Sequence, residues 1–174
     1  MKIISLVPID LIDGDRLELL GEQLASRLGA ACLIQPRRKN GDFAYNRARG
    51  QYHSTEILKR LLEDPHTESW RILGVTDLDL YIPILTFVFG EAQLGPGAAL
   101  VSTHRLRPEF YGLPQDPKLL QERLLKEALH ELGHTLGLRH CSDYLCVMSS
   151  SHSAERIDLK QAEFCPACAA AAGL

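Results

Sequence analysis

The sequence predicts one α+β or α/β domain: a mixed five-stranded sheet backed by helices, with a cysteine-rich tail after the last long helix. Three observations lead there. Short apolar runs alternate with stretches of helical period from the N-terminus onward. Glycine and proline punctuate the link between the last two apolar runs, a hairpin-like signal. Cys141, Cys146, Cys165 and Cys168 all lie in the tail, at spacings that suit a metal. A length of 174 residues suits a single unit with a real core, and no stretch reads as a linker.

Residues 3–7 form the first apolar run and predict a strand. Leu17, Leu20, Leu24 and Leu28 then recur at helical spacing, and Gly29 marks the stop. Residues 31–34 predict a second strand, ended by Pro36. Such a βαβ opening places its strands parallel; it lacks the glycine-rich turn of a dinucleotide site. Cys32, inside that apolar run, reads as a small core residue. Residues 37–50 are basic and irregular, and Arg37, Arg38 and Lys39 read as a solvated run. Ile57, Leu58, Leu61 and Leu62 predict a helix over 54–63. Residues 70–75, 85–89 and 98–102 predict three further strands, the last two paired across Gly90, Gly95, Pro96 and Gly97. Asp116-Pro117 is a helix start, with Asp as N-cap and Pro at the first helical position. Leu120, Leu124, Ala128, Leu132 and Leu136 carry that helix to Gly137. A short helix is expected from Asp158.

Composition narrows the class. Hydrophobic residues are 45 % and charged residues 24 %, with a mean hydropathy of −0.07, values of an ordinary globular chain. A net charge of −3 gives no footprint for nucleic acid or acidic lipid. No apolar run approaches the roughly 20 residues needed to span a bilayer, and the first residues turn polar too soon for a signal peptide. A cytoplasmic location is expected, where cysteines serve as thiols or metal ligands rather than disulfides.

Residues 130–140 carry the chemistry. His130 and His134 are four apart, so on a helix they project from one face and can share one zinc at about 2.0–2.1 Å. Glu131 is rotated about 100° from His130, too far to join that stack but able to reach a water at the metal and act as general base. His140 lies about 600° beyond His134, so on a straight helix it would face away. The chain must break before it, and Gly137 can supply the break by taking a left-handed conformation. An isolated His-Glu-x-x-His occurs on ordinary helices; the extended pattern with Gly137 and His140 in register is far more specific. Three neutral imidazoles leave the metal its full charge and a fourth position open, as a catalytic site requires.

Cys165-Pro166-Ala167-Cys168 is a tight knuckle, and Cys141 and Cys146 form a wider pair. Four thiolates would close a tetrahedral structural zinc and tie the tail to the loop after the catalytic helix. A redox dithiol is the competing reading of the knuckle, disfavoured because no strand precedes it. Two zinc ions per chain are therefore expected, one catalytic at His130, His134 and His140, one structural at the cysteines.

These residues resemble a known family. Residues 130–140 are similar to the metzincin signature, and Met148 resembles the methionine of the metzincin Met-turn. The cysteines around Met148, with the upstream stretch 45–52, look like the archaemetzincins. The resemblance implies a zincin-like fold for a single unit over 1–174: an upper part, 1–137, with a twisted mixed sheet and the active-site helix, and a lower part, 138–174, with the Met-turn and the cysteine site. It implies an antiparallel edge strand along the cleft, supplied by 85–89 or 90–94, and Met148 as an apolar floor beneath the histidines. Some metzincins place a tyrosine two residues after that methionine; here Ser150 stands there, which leaves the carbonyl-polarising role unassigned, with Tyr111 and Tyr144 as weak candidates.

The function expected is a zinc metallopeptidase acting on peptide substrates. Glu131 would take a proton from water at the metal and return it to the leaving amine. The resemblance suggests aminopeptidase-like cleavage of short peptides, with Asp77, Asp79 or Glu91 as acids for a substrate amino terminus. The alternative is a zinc-binding module for protein or nucleic acid with a silent histidine site. Against it stand Glu131, for which a structural site has no use, and the shortage of cations near the cysteines. Neither nucleic acid nor membrane is expected as a partner, and a monomer is expected. His53, His66, His104 and His152 have no partner at ligand spacing and read as surface or capping residues.

Overall fold

Alternation along each strand decides the layering. In the computed structural model, which describes residues 1–38, 41–63 and 69–174, the main sheet contains β1 (Ile3–Pro8), β2 (Ala31–Ile34), β5 (Arg71–Thr76), β7 (Gly90–Ala92) and β8 (Ala98–Ser102). Its order is β2-β1-β5-β8-β7. The first four are mutually parallel, and β7 pairs antiparallel with β8 at the edge. Ile4, Leu6, Leu73, Val75, Ala99 and Val101 face one core. Val7, Ala98 and Leu100 face the other. Side chains of a strand alternate with period two, so a sheet buried on both faces reads as continuous apolar runs.

Helices α1 (Gly14–Leu28) and α3 (Pro117–Thr135) fill the first core, and α2 (Ser54–Glu63) the second. The side chain of Asp13 caps α1 by accepting from the N–H of Asp15 at 3.1 Å, and Gly29 closes it at φ 57°. Asp116 accepts from the N–H of Leu119 at 2.9 Å and starts α3 with Pro117 in its first turn. Two short helices follow, α4 (Ala154–Leu159) and α5 (Pro166–Ala172). Arg123 binds α4 to α3: its guanidinium meets Asp158 through two bonds of 2.7 Å and donates to the carbonyl of Leu106 at 2.8 Å.

Four features depart from the expectation. Residues 85–89 do not form the fourth strand; the edge strand is Gly90–Ala92. The carbonyls of Leu85 and Thr86 are taken by side chains from a neighbouring hairpin, so the β-propensity of Leu-Thr-Phe-Val-Phe is overridden by tertiary contacts. That hairpin belongs to a small second sheet the sequence did not announce, β3 (Tyr45–Asn46), β4 (Gln51–His53) and β6 (Leu80–Tyr81). Strands of two or three residues carry too little pattern to be read. The tail helix begins at Ala154 rather than Asp158, with Ser153 as cap accepting from the N–H of Arg156. Cys32 is half-buried on β2, and burial pushes its thiol up to about 11. His66 and Lys39 lie outside the described residues. Among the described residues no helix is long and apolar enough to cross a membrane.

Candidate active site

Helix α3 places His130 and His134 one turn apart, and the chain then turns sharply. Gly137 adopts φ 88°, its N–H bonds the carbonyl of His134 at 3.0 Å, and the N–H of Leu138 reaches back to Gly133 at 3.1 Å. This closure ends the helix and returns the backbone toward the metal face. His140 thereby brings its ring within 5.2 Å of His130 and 5.1 Å of His134, centroid to centroid. The two helical imidazoles approach at Nε2, 3.2 Å apart.

The other ring nitrogens explain this convergence. His130 Nδ1 donates to the carbonyl of Val147 at 2.9 Å, and His134 Nδ1 to that of Leu138 at 2.8 Å. A proton fixed on Nδ1 leaves Nε2 as the free lone pair, the tautomer a metal requires. Burial pushes His130 down to about 4. His140 is lowered too, by burial first and then by His134. All three donor atoms lie within 4.8 Å of one another. Neutral imidazoles so arranged fit a zinc ion.

Glu131 points from the same helix into a cavity of about 340 Å³. Its carboxyl is pushed well above the usual range, by burial first and then by Glu127, with Lys160 opposing. Glu127 and Lys160 form a buried ion pair at 2.9 Å, and Lys160 also donates to the carbonyl of Ser149 at 3.2 Å. Sequence reasoning missed this pair. Glu127 sits one turn before Glu131 on the same helix face, a visible signal; nothing local marks Lys160.

Two glycines were also missed. A Cβ on Gly90 would lie 2.5 Å from the carbonyl oxygen of Leu100 and 2.9 Å from Glu131 Oε1. The edge strand therefore runs against the carboxylate, closer than any larger residue allows. Gly90→Ala is expected to displace Glu131 and to lower kcat at least tenfold while the zinc content holds, since an ångström of misplacement can cost about 10²-fold. Steady-state kinetics with metal analysis checks it. Gly133, between the two helical histidines, lies against the sulfur of Met148, which occupies the space a Cβ would need. Met148 is fully buried there.

The four cysteine sulfurs also gather within 4.8 Å of one another. Cys146 Sγ accepts from the N–H of Met148 at 3.4 Å and of Cys165 at 3.3 Å. Cys165 is held below the usual thiol range, first by the backbone N–H of Cys168. Burial pushes the Cys146 and Cys168 thiols up, so the fit to a second, closed zinc site rests on the convergence of four sulfurs. The two clusters are joined: Cys141 follows His140 directly, and its N–H donates to the carbonyl of Met148 at 3.0 Å.

The remaining candidates fall elsewhere. Asp79 pairs with Arg105 at 2.6 Å and Asp77 with Arg107 at 3.4 Å. Glu91 accepts from Ser54 and Thr55 at the N-terminus of α2. None of the three lines the cavity, and neither do Tyr111 and Tyr144. Ser150, Ser151 and His152 do line it, so His152 is a cleft residue, not simply a surface one. His53 stacks on Tyr81 with centroids 5.2 Å apart. His104 Nδ1 bonds the carbonyl of Asp77 at 3.0 Å, a capping role.

Comparison with known proteins agrees with this architecture. Residues 24–172 match the model of peptidase family M54. The archaemetzincin of Methanocaldococcus jannaschii is 46 % identical over 165 residues, covering 95 % of this chain and 89 % of that protein. The archaemetzincin of Pyrococcus furiosus is 42 % identical, with the same coverage of 95 % and 89 %. Among solved structures, the archaemetzincin of Methanopyrus kandleri superposes with a TM-score of 0.87 at 38 % identity, covering 99 % of this chain and 93 % of that one. A zinc-dependent peptidase from Methanocorpusculum labreanum gives 0.88 at 29 % identity, covering 97 % and 99 %. With a catalytic-helix architecture and a sequence shared along most of its length, the chain belongs to peptidase family M54 and is a zinc metallopeptidase.

Proposed function

We propose that the chain hydrolyses peptide bonds with Glu131 as general base beside a zinc held by His130, His134 and His140, and that a second zinc at Cys141, Cys146, Cys165 and Cys168 is structural. The observation that carries this reading is the convergence of three imidazoles at the cavity that Glu131 lines. A zinc ion there supplies Lewis acidity, polarising a carbonyl and lowering the pKa of water from about 15.7 to about 7.

The chain's own residues do the rest. The carbonyls of Val147 and Leu138 fix the imidazole tautomers. Glu131 accepts the proton of the attacking water at its carboxylate and later returns it to the leaving amine. Its buried setting raises its proton affinity, and a carboxylate of raised affinity is the better base near neutral pH. Among the described residues the edge strand Gly90–Ala92 pairs with β8 alone, and such an edge can pair with an extended peptide backbone. Met148 supports the floor, and the cysteine zinc fixes His140 through its neighbour Cys141. In this reading residues 1–137 form the upper and 138–174 the lower wall of one unit. A thiolate-bound zinc suits a reducing compartment, hence the cytoplasm.

Aminopeptidase-like action on short peptides is the finer reading, supported by the family likeness rather than by an amine anchor, since Asp77, Asp79 and Glu91 are engaged elsewhere. The metal assignment is tested by elemental analysis of purified protein. Two zinc ions per chain are expected, falling to one in His134→Ala with circular dichroism unchanged. One zinc in both proteins would reject the two-site reading.

A further inference from the structure

A stretch without a ladder of its own forms one wall of the catalytic cavity. Leu85, Thr86, Phe87, Val88 and Phe89 line it, and the stretch is tied to regular structure at its far end, through the bridge from Val88 to Leu80 and the Phe89 carbonyl, which accepts from the N–H of Ser102 at 2.9 Å. Its tip is bare: Ile84 is 85 % exposed and Leu85 49 %. Unbraced, such a loop would carry conformational freedom that substrate binding must remove.

The brace comes from the hairpin of β3 and β4, the part of the 45–52 stretch that the catalytic reading leaves without a role. Arg49 Nη2 donates to the carbonyls of Leu85 at 2.6 Å and Thr86 at 3.2 Å. Gln51 Nε2 donates to the same Thr86 carbonyl at 3.0 Å. Arg49 Nε donates to Gln51 Oε1 at 3.2 Å, which locks the two side chains together. The guanidinium lies 4.1 Å from the ring centroid of Tyr81, whose hydroxyl accepts from Asn46 Nδ2 at 2.9 Å. Deeper along the wall Arg105 sits 4.4 Å over Phe87, and Phe87 meets Phe89 edge-on. A planar fork that spans two carbonyls and a side-chain amide is a grip only arginine provides.

We infer that Arg49, together with Gln51, is a positioning residue that holds residues 85–89 as the apolar wall receiving a bulky hydrophobic side chain of the peptide beside the histidines. This rests on the peptidase reading. Arg49 stands behind the lining of the cavity rather than in it; it sets the shape of the wall and so acts on binding rather than on the chemical step.

The test uses full-length zinc-loaded protein, the variants Arg49→Ala, Arg49→Lys and Gln51→Leu, and two short peptides differing only by leucine or alanine. Arg49→Ala is expected to raise KM for the leucine peptide about five- to tenfold, with kcat within about twofold and KM for the alanine peptide within about twofold. Arg49→Lys should follow Arg49→Ala, because one ammonium cannot span both carbonyls. Amide hydrogen exchange over residues 84–89 should quicken at least tenfold, with α3 unchanged and zinc content constant. Gln51→Leu, which removes no charge, should show the same pattern at smaller amplitude and serves if Arg49→Ala does not fold. Binding of both peptides to the inactive Glu131→Gln protein, with and without Arg49→Ala, should repeat the leucine-selective loss without any turnover. Exchange over 84–89 that does not change, or equal losses for the two peptides, overturns the inference. Leucine-selective binding without cleavage by the unaltered chain would sink the peptidase reading alone; cleavage with no leucine–alanine difference at Arg49 would sink the wall alone.

Discussion

Glu131→Gln is expected to lower kcat/KM by about 10²–10⁴-fold, the range general acid–base catalysis supplies, with zinc content unchanged. The amide keeps the size of the carboxylate and its place against Gly90, but cannot take the water's proton. A stability measurement separates the loss of a base from a loss of folding. Burial and Glu127 push the Glu131 carboxyl well above its ordinary 4.5. A carboxyl raised in the fold keeps a proton that the unfolded chain has already released, so it destabilises the fold as pH rises above about 4.5. In the His134→Ala background, where no metal compensates the charge, Glu131→Gln should therefore raise the urea midpoint at pH 7 and leave it unchanged at pH 4. Turnover by Glu131→Gln within a few-fold of the parent chain would assign the base to another residue, and a lower midpoint at pH 7 would contradict the burial argument.

Cys165→Ser is expected to remove one zinc and melt the tail that carries α5. That segment has little else to hold it. Helix α5 has no buried residue, and the half-buried contacts of Phe164, Cys165 and Cys168 with the core are few large groups over a long stretch. Structural zinc contributes about 10–16 kcal/mol in isolated zinc-finger peptides, comparable to the whole stability of a typical domain, about 5–15 kcal/mol. Removing one ligand should thus expose the tail to limited proteolysis and weaken zinc at the histidines, because His140 and Cys141 are neighbours and Cys141 bonds the carbonyl of Met148. Two zinc ions and an unchanged melting temperature in Cys165→Ser would show that the cysteines are thiols, not ligands.

Much of this was legible because the signals are local. The leucine period of α1, the Asp116-Pro117 start of α3 and the apolar runs of β1, β2, β5 and β8 reflect geometries that repeat within a few residues. The three histidines are legible for the same reason: an interval of four on a helix and a glycine before the third fix their relation without reference to the rest of the chain. The misread segment is instructive. Residues 85–89 have a strand's composition, but Arg49 and Gln51, more than thirty residues away, claim the carbonyls a ladder would need. Composition cannot report a hydrogen bond to a distant side chain.

The same limit explains the acidic candidates. Asp77, Asp79 and Glu91 look like free carboxylates in sequence, and each has a partner contributed by another part of the chain. Glu127 and Lys160, whose charges act on the Glu131 carboxyl, are joined across a distance in sequence that no motif spans.

The sequence by itself determined which histidines and cysteines could gather as metal donors, the turn that returns His140 and the alternation of strands and helices, because backbone periodicity and donor chemistry are properties of neighbouring residues. Only the tertiary structure decided which edge borders the cleft, why Gly90 and Gly133 must lack a side chain, and where the charges around Glu131 find their partners. Those are questions of close approach between segments far apart in the chain, and packing answers them only once the whole core has formed.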